Sequence, residues 1–153
     1  MTKKAFSIAL ASTLSFYCLN ASAQFDPVKI ATRFGELRSG ENSELKFKGK
    51  KILPEVSVFS EAYVLSTHKL ESDDVVLISQ AAGTACPGQF VFVTVSAEGA
   101  KATPVFGTCY DDDVKAIQTG ETIAFSMKKL GGKGSSRYIY ERGVVFENGK
   151  PIK

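Results

Sequence analysis

Several residue types are scarce in this sequence, and each shortage argues against a class of function. The 153 residues include no tryptophan, two methionines and a single histidine, His68. Zinc sites usually take four ligands, so one histidine is a poor basis for a metal centre. A serine–histidine–acid triad would have to use His68, yet no Gly-x-Ser-x-Gly motif accompanies it. We therefore expect His68 to be exposed near a strand end, and we expect no metal, no cofactor and no catalytic residues.

A strong excess of either charge is also missing. The chain carries 19 basic and 16 acidic side chains. Two of the basic residues, Lys3 and Lys4, belong to the N-terminal segment discussed next, and without them the balance is 17 against 16, a net charge of +1. Nucleic-acid binding needs several phosphate-neutralising groups on one face, and this balance argues against it.

No stretch approaches the roughly 20 apolar residues that a membrane-spanning helix needs. An uncharged run does begin at Ala5, directly after the basic head, and it reaches the small residues Ala21-Ser22-Ala23. This order is typical of a secretory signal peptide. We expect residues 1–23 to be cleaved off, and we expect no membrane insertion.

Residues 24–153 would then form one β-rich domain in the periplasm, long enough for a single hydrophobic core. Cys18 lies within the expected signal peptide. A lipid-modified cysteine normally follows a small residue, whereas Tyr17 precedes this one. The sequence therefore argues against a lipoprotein.

Cys86 and Cys109 are the two cysteines that remain after cleavage. An even number in an oxidising compartment favours a disulfide, and the Cys-x-x-Cys spacing of a redox pair is absent. The spacing of the strands supports the pairing. Residues 90–95 and 100–106 read as two strands joined by a turn at residues 97–99.

The register of that hairpin places the cysteines close together. If Ser96 faces Ala100, the two cysteines lie within one residue of being opposite each other. Pro104 cannot donate to the hydrogen-bond ladder, so an irregularity there would correct the register. We therefore predict a disulfide between Cys86 and Cys109.

The remaining pattern predicts an all-β fold: a single antiparallel sandwich or partly closed barrel of about eight or nine short strands with one disulfide. Residues 75–78 and 90–95 are apolar on both faces, which predicts central strands. Leu45 and Phe47 alternate with lysines, as on a half-buried strand. The candidate strands are residues 28–37, 44–48, 61–67, 75–78, 90–95, 100–106, 122–127, 137–141 and 144–147.

The segments between these strands carry turn signals. Arg142-Gly143 and Asn148-Gly149 predict tight turns, and residues 130–136 predict a flexible loop near the C-terminal strands. Residues 111–118 begin with three aspartates, which favour one helical turn. The same aspartates lack the alternate spacing of a calcium loop, so we interpret them as a polar turn.

The C-terminal part is the most suggestive of binding. From Lys128 onward it holds seven basic residues and two acidic ones. Tyrosine and arginine are favoured as interface anchors, although solvated turns and tyrosines on a sheet rim are the alternative interpretation. The candidate partner-binding residues are Lys133, Arg137, Tyr138, Tyr140 and Arg142.

Four short segments carry a resemblance to a family. They are Phe34-Gly-Glu-Leu-Arg38, Asp74-Val-Val-Leu77, Gly83-Thr-Ala-Cys-Pro87 and Phe106-Gly-Thr-Cys109. In this order the chain resembles a group of small exported proteins of Gram-negative bacteria that are described as uncharacterised. The resemblance implies a shared disulfide-bonded architecture and a periplasmic location, and no activity.

Two functions fit these expectations. The first is a periplasmic domain, monomeric or homodimeric, that binds another protein, such as an inhibitor that occludes a hydrolase or an immunity protein that occludes a toxin. The second is an accessory structural subunit of an envelope or secretion assembly, held by β-strand addition. Nothing in the sequence outlines an enzyme.

Overall fold

The computed structural model of this chain describes residues 29–39, 44–53, 63–80, 85–110 and 113–153. The expected signal peptide, residues 1–23, lies outside the described residues. Within them the fold is all-β and antiparallel, as predicted. No helix of this part is long and apolar enough to cross a bilayer.

In the described residues fourteen strands form three sheets, each built from strands that are neighbours along the chain. The N-terminal sheet contains β1 (Lys29–Thr32), β2 (Gly35–Ser39), β3 (Leu45–Phe47) and β4 (Lys50–Lys51). The central sheet contains β5 (Tyr63–Lys69), β6 (Asp74–Ser79), β7 (Gln89–Ser96), β8 (Gly99–Ala102) and β9 (Phe106–Gly107), with β9 paired to β7. The C-terminal sheet contains β10 (Ile117–Thr119), β11 (Thr122–Lys128), β12 (Ser135–Glu141), β13 (Val144–Glu147) and β14 (Lys150–Pro151).

The central sheet lies between the other two sheets and contributes to two separate cores. Side chains alternate between the faces of a strand. On β6, Val75 and Leu77 therefore pack with the C-terminal sheet, while Val76 and Ile78 pack with the N-terminal sheet. All four are fully buried. The prediction that β6 and β7 occupy central positions is confirmed, and the arrangement is a three-layer sandwich whose described sheets do not close on themselves.

Each core has its own composition. The core between the central and C-terminal sheets is aromatic: the ring centroids of Phe92 and Tyr140 lie 4.9 Å apart, and those of Phe106 and Tyr138 lie 5.1 Å apart. The other core is mainly aliphatic, with Phe47 as its one fully enclosed aromatic ring among the described residues. Aromatic pairs at these distances add attraction beyond the burial of their surface.

Two local predictions were wrong. Residues 28–37 were expected to form one strand, but Arg33 and Phe34 form a turn that divides the described part of this segment into β1 and β2. Residues 111–118 were expected to include a helical turn. Residues 111 and 112 lie outside the described part, residues 113–116 have no regular structure, and Ile117–Thr119 is the edge strand β10.

The number of strands exceeds the eight or nine predicted because several hairpins are very short. At Arg142-Gly143 and Asn148-Gly149 both residues have positive φ angles, as in type I′ turns, so those two predicted turns are confirmed. Lys48-Gly49 has the same conformation and connects β3, which lies within the predicted strand of residues 44–48, to β4, which was not predicted.

The hairpin that carries the disulfide is confirmed with a corrected turn. Ser96 faces Gly99 rather than Ala100, so the loop has two residues. Further along, Phe90 faces Phe106, which shifts the register by one residue around Pro104. The predicted irregularity is therefore present. Cys86 and Cys109 are bonded, with their Cα atoms 4.2 Å apart.

Candidate functional site

Two of the five candidate partner-binding residues are inaccessible. Tyr138 and Tyr140 do share one face of β12, as the alternation predicted, but that face points into the aromatic core and both side chains are 0% exposed. Their hydroxyl groups are also engaged: Tyr138 donates to Glu147 Oε1 at 3.2 Å, and Tyr140 shares a hydrogen bond of 2.6 Å with Thr94 Oγ1. The expectation that these tyrosines anchor a partner is wrong, because they are core residues.

Burial changes the acidity of both phenols. It raises the pKa of Tyr138 to about 12, with a further contribution from the negative charge of Glu147. It also raises the pKa of Tyr140. Both groups are therefore neutral hydrogen-bonding groups within the fold.

The other three candidates are exposed but do not form one patch. Lys133 lies in the loop before β12, Arg137 lies on β12, and Arg142 lies in the turn after it. The seven residues of β12 separate the two ends by about 23 Å at ~3.3 Å per residue. The three exposed basic residues are thus distributed along the whole length of β12 and do not form the single surface that was predicted.

The loop between β11 and β12, residues 129–134, presents an apolar side chain to solvent. Leu130 is 68% exposed. The loop is closed by backbone hydrogen bonds from Lys129 N to Gly134 O at 3.0 Å and from Gly132 N to Lys129 O at 2.8 Å. Gly132 and Gly134 have φ angles of +75° and +82°, a region that L side chains rarely adopt. The glycines thus permit the tight path that places Leu130 at the tip.

The base of this loop is attached to the disulfide segment. The Thr108 hydroxyl donates to the Lys128 carbonyl at 2.5 Å, and Lys128 Nζ lies 5.6 Å from the centre of the Tyr110 ring. Cys109 lies between these two contacts in sequence and is bonded to Cys86. The disulfide therefore holds the segment against which the loop is positioned.

Close backbone packing fixes the same segment from the other side. A Cβ atom on Gly88 would lie 2.0 Å from the Tyr110 carbonyl oxygen, and one on Gly107 would lie 2.1 Å from the Gly88 carbonyl oxygen. Neither position can hold a side chain without moving the backbone. The segment of residues 107–110 is thus tightly packed against Gly88, and it supports the base of the loop.

A groove of about 800 Å³ lies at the opposite end of the C-terminal sheet. The turn that carries Arg142 forms part of its wall, together with the β7–β8 hairpin. Its acidic lining residues are Glu71, Asp73, Glu98 and Glu121. In the described part of the chain, no group of three or more histidine, cysteine, aspartate or glutamate side chains is placed to hold a metal ion.

His68 is buried, contrary to the expectation that it is exposed. It is 8% exposed, and its Nε2 atom lies 2.8 Å from Ser66 Oγ. Burial lowers the pKa of His68, and a hydrogen bond to the Gln118 side chain opposes part of that effect. A neutral amide cannot stabilise an imidazolium as a carboxylate does, and neither Ser66 nor His68 lines the groove. This pair therefore lacks the environment of an activated nucleophile.

Sequence reasoning missed Leu130 as a candidate contact residue. The usable signal was a single large apolar side chain between lysines and glycines, in a segment that we interpreted only as flexible. An apolar residue without a strand or helix pattern around it has no core to occupy. Its exposure is the observation that distinguishes this loop from an ordinary polar turn.

No protein-family model, no curated protein and no solved structure matches the chain. The resemblance carried by the four short segments therefore stays a prediction.

Proposed function

We propose that this chain is an exported protein-binding domain that acts by occlusion, as the inhibitor of a hydrolase or as the immunity protein of a toxin. The β11–β12 loop would enter the partner's cleft with Leu130 at its tip. The observation that carries this proposal is the 68% exposure of Leu130 on a loop whose base is attached to the disulfide segment.

The energetics favour a prearranged loop. Full burial of a leucine side chain contributes about 1.5–3 kcal/mol, and a loop that is already ordered loses less entropy on binding. The contacts of Thr108 and Tyr110 with Lys128 hold the base of the loop, and the backbone hydrogen bonds hold its tip. Affinity would then come from shape and not from a chemical step.

The charges around the tip suggest the chemistry of the partner. Lys129 and Lys133 flank Leu130 and are both exposed. Glycoside hydrolases carry two carboxylates in the active-site cleft, and a basic loop with an apolar tip is complementary to such a cleft. The best-fitting partner is therefore an enzyme with an acidic cleft.

An oxidising compartment is part of the proposal. Disulfides persist in exported proteins and are rare in the cytosol, so the Cys86–Cys109 bond supports a periplasmic location. This fits the expected signal peptide.

Strand addition is less well supported as the binding mode. One edge of each described sheet is unsuited to pairing: β4 consists of Lys50 and Lys51, β14 contains Pro151, and β5 has an irregular register between Val64 and Ser66. Charged residues, proline and bulges are the devices by which proteins prevent edge pairing. We therefore favour the loop over the sheet edges.

Affinity capture from a periplasmic extract tests the loop. The mature chain, a Leu130→Asp variant and a Val64→Ser control would be immobilised, and retained proteins identified by mass spectrometry. Val64 is 38% exposed on the central sheet, so its variant controls for loss of an exposed apolar group elsewhere. We expect a hydrolase or toxin to be retained by wild type and control, lost with Leu130→Asp, and inhibited by the wild-type chain in solution. Equal retention by all three chains would refute the role of the loop.

A further inference from the structure

A row of apolar residues crosses the outer face of the C-terminal sheet. The strand register pairs Ala124 with both Ile117 and Ile139, and it pairs Phe146 with both Ile139 and Pro151. One residue from each of the five strands is thus in line. On an antiparallel sheet, directly paired residues point to the same face, so these five side chains form one continuous row.

This row lies on the side of the sheet that faces away from the aromatic core. Its neighbours along the strands, including Ile123, Tyr138, Tyr140 and Val145, are the buried residues of that core. Ile117 is 69% exposed, and Ile139 and Phe146 are partly exposed. The C-terminal sheet therefore carries apolar side chains on both faces, although only one face is covered by the described central sheet.

Two opposite charges flank the centre of the row. Ile139 is the middle residue of the five, and on the same face of β12 Arg137 lies two positions before it and Glu141 two positions after it. Both charged residues are exposed. The face thus reads positive, apolar, negative along its central strand.

We propose that this face binds a second copy of the chain and that the protein is a two-fold symmetric dimer. A two-fold axis along the row would place Ile139 on Ile139 of the second copy. The same operation places Arg137 opposite Glu141 of the second copy, and Glu141 opposite Arg137 of the second copy. An isologous interface has to be complementary to itself, and the order of charges on β12 satisfies this condition.

The size of the face sets the expected strength. Five strands at ~4.8 Å spacing give a width of about 19 Å. Arg137 and Glu141 are separated by about 13 Å along the strand at ~3.3 Å per residue. This contact area is below the roughly 800 Å² per partner of a standard interface. The dimer should therefore be weak and should dissociate on dilution.

Sedimentation velocity of the disulfide-bonded mature chain, from micromolar to millimolar concentration, tests this proposal. We expect a concentration-dependent dimer that Arg137→Glu weakens by about tenfold or more, because like charges then face each other. The double exchange Arg137→Glu with Glu141→Arg restores opposite charges across the axis and should recover the wild-type association. Lys101→Glu, an exposed change on the central sheet, serves as the control and should have no effect.

Apolar variants complete the test. Ile139→Asp should abolish association, and Ile117→Ser, at the most exposed end of the row, should weaken it without threatening the fold. Circular dichroism would verify that each variant is folded. A chain that stays monomeric throughout, a dimer that tolerates both apolar variants, or a double exchange that fails to recover association would each overturn the proposal. None of these outcomes bears on the loop of residues 129–134, because that loop is tested by capture of a different protein.

Discussion

Arg33, in the turn between β1 and β2, holds the fully buried carboxylate of Asp74 with both its backbone and its side chain. The backbone N–H donates to Asp74 Oδ2 and the side-chain Nε to Oδ1, each at 2.6 Å. The guanidinium also donates to the carbonyls of Leu70 and Asp73 at 2.6 and 2.7 Å. Four hydrogen bonds thus join the N-terminal sheet to the first residue of β6 and to the turn that precedes it.

Removal of the Arg33 side chain should destabilise the fold strongly. Asp74 would keep one backbone hydrogen bond, but its charge would be buried without a partner, which costs about 3 kcal/mol or more. We expect Arg33→Ala to lower the free energy of unfolding by about this amount in urea denaturation. Arg38→Ala is the matched control, since the Arg38–Glu36 pair is much more exposed and such pairs contribute about 1 kcal/mol or less. Equal losses in the two variants would contradict the role assigned to Arg33.

His68 should make stability depend on pH in the mildly acidic range. Burial lowers its pKa in the folded state below the ordinary value of 6.5, so the unfolded chain binds the proton more readily. The stabilisation is therefore fully present above pH 6.5 and is lost as the pH falls towards the pKa of the folded state. The difference in unfolding free energy between wild type and His68→Gln should therefore become smaller as the pH falls below 6.5. A difference that is constant with pH would show that His68 is not responsible.

Tyr138 should have the opposite pH dependence, in the alkaline range. Its pKa is raised from 10.0 to about 12, so the unfolded chain ionises first. The stabilisation is fully present below pH 10 and is lost as the pH rises towards 12. Tyr138→Phe removes the ionisable group while leaving the ring in the core. The melting temperature of this variant should therefore fall less steeply with pH above pH 10 than that of wild type. Thermal melts across this range are the measurement, and identical slopes would refute the assignment.

Gly88→Ala should disturb the disulfide segment and the base of the β11–β12 loop together. The added Cβ would lie 2.0 Å from the Tyr110 carbonyl oxygen, so residues 108–110 must shift. We expect a lower melting temperature and faster reduction of the disulfide by dithiothreitol. Gly120→Asn is the control, because nothing lies within 4 Å of its Cβ position and asparagine tolerates a positive φ. A Gly88→Ala chain with wild-type melting and reduction would contradict the close packing.

The sequence predicted most of the central layer and the disulfide, because those features depend on local patterns. The middle parts of β6 and β7, residues 75–78 and 90–93, are apolar on both faces of the strand, which left few alternatives to a doubly covered sheet. The cysteine pairing followed from turn and register arguments within one hairpin. Residues of one hairpin are close in sequence, so their relationship does not require knowledge of the tertiary packing.

The candidate site was harder to predict, because the orientation of a strand depends on which sheet packs against it. On β12 the alternation of side chains was clear from the sequence, but it did not say whether the face with Tyr138 and Tyr140 is directed to the core or to solvent. The tertiary fold decided for the core and left Arg137, Ile139 and Glu141 outside. The same limit applied to His68, which is buried where the edge strand β10 approaches β5. There the Gln118 side chain donates to the Lys69 carbonyl, and these two residues are 49 positions apart in the sequence.

The interleaving of two cores within one strand has a consequence for errors in pairing. A slip of β7 by a single residue would turn Phe90 and Phe92 towards the space that Val91 and Val93 fill, and the valines towards the aromatic space. The larger rings would be compressed on one side while voids opened on the other. A shifted register is therefore unfavourable on both faces of the strand. The register of the central sheet is specified more strictly than that of a sheet with one solvent-exposed face.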